Sequence, residues 1–98
     1  MKLEWQQNPP TNRMNWNEAL DYAKSLGEGW RLPTKEELKH AYDNNLECFS
    51  SSNYWSSSTY AQLTNFAWNV NFKYGLVNFY NKTLNFYVRC VRDELNRN

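Results

Sequence analysis

The interval from Phe49 to Arg92 contains no aspartate or glutamate, so every carboxylate of the chain falls before or after it. From Trp68 onward the interval is built almost entirely of aromatic residues, asparagines and β-branched residues. That composition suits paired strands presenting a large, weakly charged contact surface. It does not suit a hydrolytic or metal-dependent centre, which needs converging ionisable groups. The second half of the chain therefore constrains both the fold and the kind of function it serves.

Five Trp, seven Tyr and five Phe in 98 residues compensate for the small core of a chain this length, which makes one domain over residues 1–98. The rest is polar, with a mean hydropathy of −0.91, so the aromatics must concentrate on a few faces. Eleven basic residues against ten acidic ones give a net charge of +1 and no electrostatic footprint for nucleic acid or an anionic membrane. No apolar run approaches the ~18 residues that would insert across a bilayer. The N-terminal stretch lacks the apolar core of a signal peptide, so the expected location is cytoplasmic or particle-associated, with surface display if the chain is a fragment. Cys48 and Cys90 are expected to be two buried thiols. Without a CxxC spacing they do not make a zinc site, and neither a metal nor another cofactor is expected.

Leu3 to Gln6 reads as a short opening strand, followed by a polar loop around Pro9 and Pro10. Asn15 with Glu18 forms a capping box, and Trp16, Ala19, Leu20, Ala23 and Leu26 recur at helical spacing, predicting a helix over 16–26 that Gly27 ends. Thr34 with Glu37 repeats the device, and Leu38, Ala41 and Tyr42 predict a helix over 35–44. Beyond Cys48 the period changes to alternation. A short strand over 53–57 precedes one in which Phe66, Trp68, Val70 and Phe72 share a face opposite Ala67, Asn69 and Asn71. Lys73 to Gly75 is a hairpin turn, 76–80 the returning strand, Asn81-Lys82 a second turn, and 85–91 a third strand. Two N-terminal helices packed on a small antiparallel sheet, a meander, make an α+β domain. The tail from Asp93 to Asn98 is expected to be peripheral.

Leu3-Glu-Trp5, Trp16 to Tyr22, Trp30-Arg-Leu-Pro-Thr to Leu38, Tyr54-Trp-Ser-Ser57, Ala67 to Phe72, Gly75 and Tyr87-Val-Arg-Cys-Val-Arg92 occur in that order. Together they resemble the Lcl C-terminal domain family, which implies a C-type-lectin-like fold. The last block is also similar to the variable proteins of diversity-generating retroelements, whose binding residues are randomised at asparagine codons ahead of a Tyr-Val-Arg. Leu76, Asn78, Phe79, Tyr80, Thr83, Leu84, Asn85 and Phe86 are all residues such codons reach, though strand propensity selects a similar set. The family resemblance implies a disulfide from Cys90 to a cysteine in the first helix; here that helix reads Asp21-Tyr-Ala-Lys24, and Cys48 lies elsewhere. A lectin's calcium site would need several oxygens converging where this chain has no carboxylate, so calcium-independent binding is expected.

Single residues mostly read as scaffold. The Trp30 to Thr34 segment is a core plug with Trp30 and Leu32 buried, and Trp5, Trp16, Trp55 and Trp68 are read the same way. Arg89 and Arg92 bond locally or rest on rings. His40, the only histidine, sits on a solvated helix face, and no base accompanies the serine clusters, so no catalytic residue is expected. A formylglycine-generating-like enzyme of the same fold class would need a reactive thiolate, and Cys90 reads as core instead. What remains is recognition of a protein partner through Tyr60, Asn65, Asn69, Asn71, Tyr74, Asn78, Tyr80, Thr83 and Asn85, with Trp68, Val70, Phe72, Val88, Cys90 and Val91 as scaffold. A small intracellular inhibitor from a phage or mobile element, occluding a host protein, is the alternative form of the same reading.

Overall fold

The computed structural model describes residues 2–94; the last four residues of the tail, 95–98, lie outside the described residues. Strand β1 (Leu3–Trp5) opens the chain, followed by helices α1 (Trp16–Leu26) and α2 (Lys35–Asp43). Strands β2 (Asn53–Thr59), β3 (Phe66–Asn71) and β4 (Val77–Asn81) come next, and β5 (Val91–Asp93) closes the fold. Both helices begin where the capping boxes put them. The Asn15 and Thr34 side chains accept from the Glu18 and Glu37 backbone N–H groups, while each glutamate side chain accepts from its cap's N–H. These reciprocal bonds satisfy donors that would otherwise be orphaned at a helix start.

The strands form two antiparallel sheets, β2-β3-β4 and β1-β5. The expected third meander strand over 85–91 is not one strand. Phe86 bridges Met14, Tyr87 bridges Tyr54 in parallel, and Val91, the first residue of β5, bridges Arg31. The segment is extended, but it takes three separate partners and stitches the helical half to the sheet.

Helices α1 and α2 cover opposite faces of β2 and β3. On one face Trp55 and Ala67 pack with Ala19, Ala23, Leu32, Val88 and Cys90. On the other, Tyr54 and Val70 pack with Leu38 of α2, bordered by Trp5, Phe49, Phe72 and Tyr87. A central strand covered on both sides buries alternate residues of both faces. This overturns the expected division of β3. Val70, Val88, Cys90 and Val91 are buried scaffold as expected, but Ala67 and Asn69 are fully buried too, whereas Trp68 and Phe72 are only half-buried. Trp5, Trp16 and Trp30 are likewise half-buried, and only Trp55 of the five is sealed.

The segment from Trp30 to Thr34 does act as structure. Leu32 and Pro33 are buried, and the Arg31 guanidinium makes a bidentate bond to Glu37 at 2.8 and 2.9 Å with Asp93 at 3.3 Å. The hydrogen bonds from Arg31, foremost, hold the Glu37 carboxyl below the usual range. Arg92 bonds Glu4 and Glu28 and lies 4.5 Å from the Trp30 ring centre, the local role expected of it.

Candidate binding surface

The hairpin of β3 and β4 positions most of the predicted contact residues, and its turn is built by Asn71. The Asn71 Oδ1 accepts from the Lys73 and Tyr74 backbone N–H groups at 2.9 and 3.0 Å, and its Nδ2 donates to Asn53 Oδ1. The Gly75 N–H closes the turn on the Asn71 carbonyl at 2.7 Å. Gly75 has φ +74°, and a Cβ there would fall on the Tyr42 ring, so glycine serves both the backbone and the packing. The outcome is a rigid tip from which Tyr74 stands 63% exposed. Asn71 thus positions Tyr74 and has little side chain left to offer a partner.

At the other end Asn81 plays the same part. Its Oδ1 accepts from the Thr83 N–H and hydroxyl at 2.9 and 2.8 Å, fixing Thr83, which is exposed together with Asn85. The Lys82 N–H donates to the Asn65 carbonyl, and its ammonium is pinned on Thr59 Oγ1 and the Thr64 carbonyl, 3.9 Å from the Trp16 ring centre. Asn65, Thr83 and Asn85 are therefore exposed on segments tied together at Lys82.

Between the two ends lies an aromatic group. Tyr60 stacks on Phe79 with ring centres 4.0 Å apart, and both meet the Trp68 ring edge-on. The Lys35 ammonium sits 4.0 Å from the centre of the Trp68 ring. Tyr60 is half-buried in this group, as is Tyr80 against Phe86 and the core below. Asn78 is half-buried opposite Asn69 in the register.

Asn69 is a correction. It was expected at the surface and is wholly buried, beside Trp55 and Asn78 in the register, with no hydrogen-bond partner for its amide among the described residues. It cannot touch a partner without unfolding β3. Sequence reasoning also passed over the exposed apolar residues of β4 and its flanks: Leu76 (55% exposed), Val77 (36%), Phe79 (39%), Leu63 and Leu84. The signal that could have found them was that Leu76, Phe79 and Leu84 lie among the residues singled out by the retroelement resemblance.

Cys48 is the other correction. It was expected to be buried, but it is exposed with φ +71°, and neither it nor Cys90 is in a disulfide. Burial pushes the Cys90 thiol up to about 12.

This arrangement of α+β elements is that of a C-type lectin. The chain is similar to TC14, a C-type lectin from the tunicate Polyandrocarpa misakiensis, with a TM-score of 0.63 and 15% identity over 97% of this chain and 100% of that one. It belongs to the Lcl C-terminal domain family, which it matches over residues 1–92. No curated protein sequence matches it.

Proposed function

We propose that the chain is a non-catalytic module that binds another protein, without calcium, through the exposed surface of the β3–β4 hairpin and its flanking loops. The observation that carries this reading is the set of exposed side chains along the β3–β4 hairpin and its flanks, Tyr74, Leu76, Val77 and Phe79 followed by Thr83, Leu84 and Asn85, interrupted by the half-buried Asn78 and residues 80–82. Aromatic and aliphatic side chains held on strands give contact area at low entropic cost, and the adjacent amides and hydroxyls adapt their hydrogen bonds. The carboxylate-free composition of 49–92 supports recognition that does not depend on a hard cation.

The test is a triple variant, Tyr74→Ser with Thr83→Ala and Asn85→Ala, set beside the unaltered chain in capture and affinity measurements. None of the three side chains is buried, so melting should move by no more than about 1 kcal/mol in stability. Affinity for a captured protein should fall by about tenfold or more, with chelation of calcium leaving both forms unchanged. Equal affinity in the triple variant, or loss of binding on chelation, would refute the reading.

The buried Cys90 thiol also supports a role other than thiol catalysis, since an activated nucleophile needs a lowered pKa and access. A disulfide reagent at neutral pH should modify Cys48 promptly in the native protein and Cys90 only in denaturant. Fast native labelling of Cys90 would restore the enzymatic alternative.

A further inference from the structure

We infer that the open edge of β4 receives an extended segment of the partner as an added strand, with a carboxylate of that segment meeting Lys35. This deepens the reading above and rests on it, because it names how the proposed protein partner is held.

The inference starts from the two outer edges of the β2-β3-β4 sheet. The edge at β2 is already covered: the Trp55 N–H bonds the Tyr87 carbonyl, the Tyr87 N–H bonds the Asn53 carbonyl, and the Ser57 N–H bonds the Pro33 carbonyl. Among the described residues the edge at β4 has no such cover. Val70 faces Val77 in the register while the Asn71 N–H bonds the Leu76 carbonyl, and Phe66 faces Asn81 while the Lys82 N–H bonds the Asn65 carbonyl. In an antiparallel pair that pattern makes 76, 78, 80 and 82 the residues bonded across to β3. The backbone groups of Val77 and Phe79 therefore point away from the sheet, and no hydrogen bond ties them to another part of the described chain. Edge strands normally carry a proline, a charge or a bulge that blocks pairing. Residues 76–81 carry neither proline nor charge, and the β3–β4 register runs without a shift.

The side chains say what the added strand must look like. Val77 and Phe79 share the face covered by α2, and an open groove of about 370 Å³ is lined by Val77 and by Lys35, Glu36, Lys39, His40 and Asp43 of α2. An antiparallel strand would exchange both backbone bonds with Val77 and both with Phe79. Its residue opposite Val77 would project into the groove, and its residue opposite Phe79 would stand on the same face, on the side where Lys35 lies over Trp68. Lys39 is already paired with Asp43 at 3.1 Å. Lys35 forms no ion pair with a described carboxylate; its ammonium lies over Trp68, the register neighbour of Phe79. The fitting segment thus has an acidic residue opposite Phe79 and an apolar one opposite Val77. A second copy of this chain fits poorly, because two-fold pairing of β4 with β4 would set the Lys35 and Lys39 rows of both copies on one face.

The probe is the blocked peptide acetyl-Thr-Glu-Thr-Val-Thr-Val-Thr-amide, titrated against the full chain with amide exchange read residue by residue. Saturable binding is expected, with exchange at Val77 and Phe79 slowed about tenfold while Trp55 is unaffected. Val77→Pro removes an N–H that makes no bond to β3 and should weaken binding about tenfold with the melt retained. Lys35→Glu, or a lysine in place of the peptide's glutamate, should weaken it several-fold, about what one ion pair contributes. Should Val77→Pro fail to fold, a peptide N-methylated at its first valine, the residue opposite Val77, removes the other bond of that pair from the ligand side and should show a similar loss. No binding, no protection at Val77 and Phe79, or indifference to these changes overturns the edge site. So does protection without peptide that grows with protein concentration, which would mean self-pairing. Any of these leaves the Tyr74, Thr83 and Asn85 test to judge the binding module separately.

Discussion

Trp55→Ala is expected to destabilise the domain by about 3–5 kcal/mol, enough to unfold it in mild denaturant. Trp55 is the largest fully buried side chain, seated on β2 in one cluster with Ala19, Ala23, Leu32, Val88 and Cys90. Its ring meets Phe86 edge-on at 4.9 Å, and its Nε1 donates to the Met14 carbonyl at 3.0 Å. Truncation removes the packing of α1 on the sheet and leaves that carbonyl unpaired. Trp55→Phe keeps most of the volume and loses the donor, so it should cost less, about 1–2 kcal/mol. Urea unfolding followed by circular dichroism separates the two. A midpoint for Trp55→Ala near that of the unaltered chain would mean that Trp55 is not the centre of this core.

The features legible in the sequence were those decided by neighbours a few residues away. Asn15 with Glu18 and Thr34 with Glu37 announce their helices because a capping box is a closed local exchange of bonds, and the apolar spacing that follows sets the buried side. Gly75 is legible because a tight turn needs its positive φ. The exposure of β3 was not legible. A two-residue period says which side chains share a face, but which face has a lid depends on α2 and on the return of residues 86–90, both remote in sequence. Segment 85–91 misled for a related reason. Its aromatic and β-branched residues favour extended backbone, yet its partners at Met14, Tyr54 and Arg31 are set by tertiary packing. In the site, chemistry alone overvalued the asparagines. Asn71 spends its Oδ1 on its own turn and its Nδ2 on Asn53, and Asn69 is wholly buried, so much of the exposed surface falls to apolar residues of β4 and its flanks.

The second large effect is expected at Arg89, for which lysine should be a poor substitute. Arg89 is buried, and its Nε donates to the Gln6 carbonyl at 2.8 Å while Nη1 donates to the Glu47 carbonyl at 2.8 Å. Its guanidinium lies 4.6 Å from the Phe49 ring centre and 5.7 Å from that of Trp5. One side chain therefore ties the N-terminal segment and the segment after α2 to the chain's return. Its bonds go to carbonyls rather than a carboxylate, so the cation is held by dipoles and ring faces, and burial lowers its pKa. Arg89→Met keeps the stem but leaves both carbonyls without their donor, at an expected cost of about 2–4 kcal/mol. Arg89→Lys keeps the charge, but a compact ammonium lacks the fork that reaches both carbonyls and is the harder group to desolvate; about 2–3 kcal/mol is expected. The two substitutions differ in pH dependence. Burial should depress the new lysine's pKa in the folded state below its unfolded value of about 10.4, so the unfolded chain binds more protons. Stability of Arg89→Lys should then rise relative to the unaltered protein and to Arg89→Met as pH climbs from neutrality toward about 10. A flat difference across that range would show that the ammonium escapes to water, and that Arg89 is held there by packing rather than by its bonds.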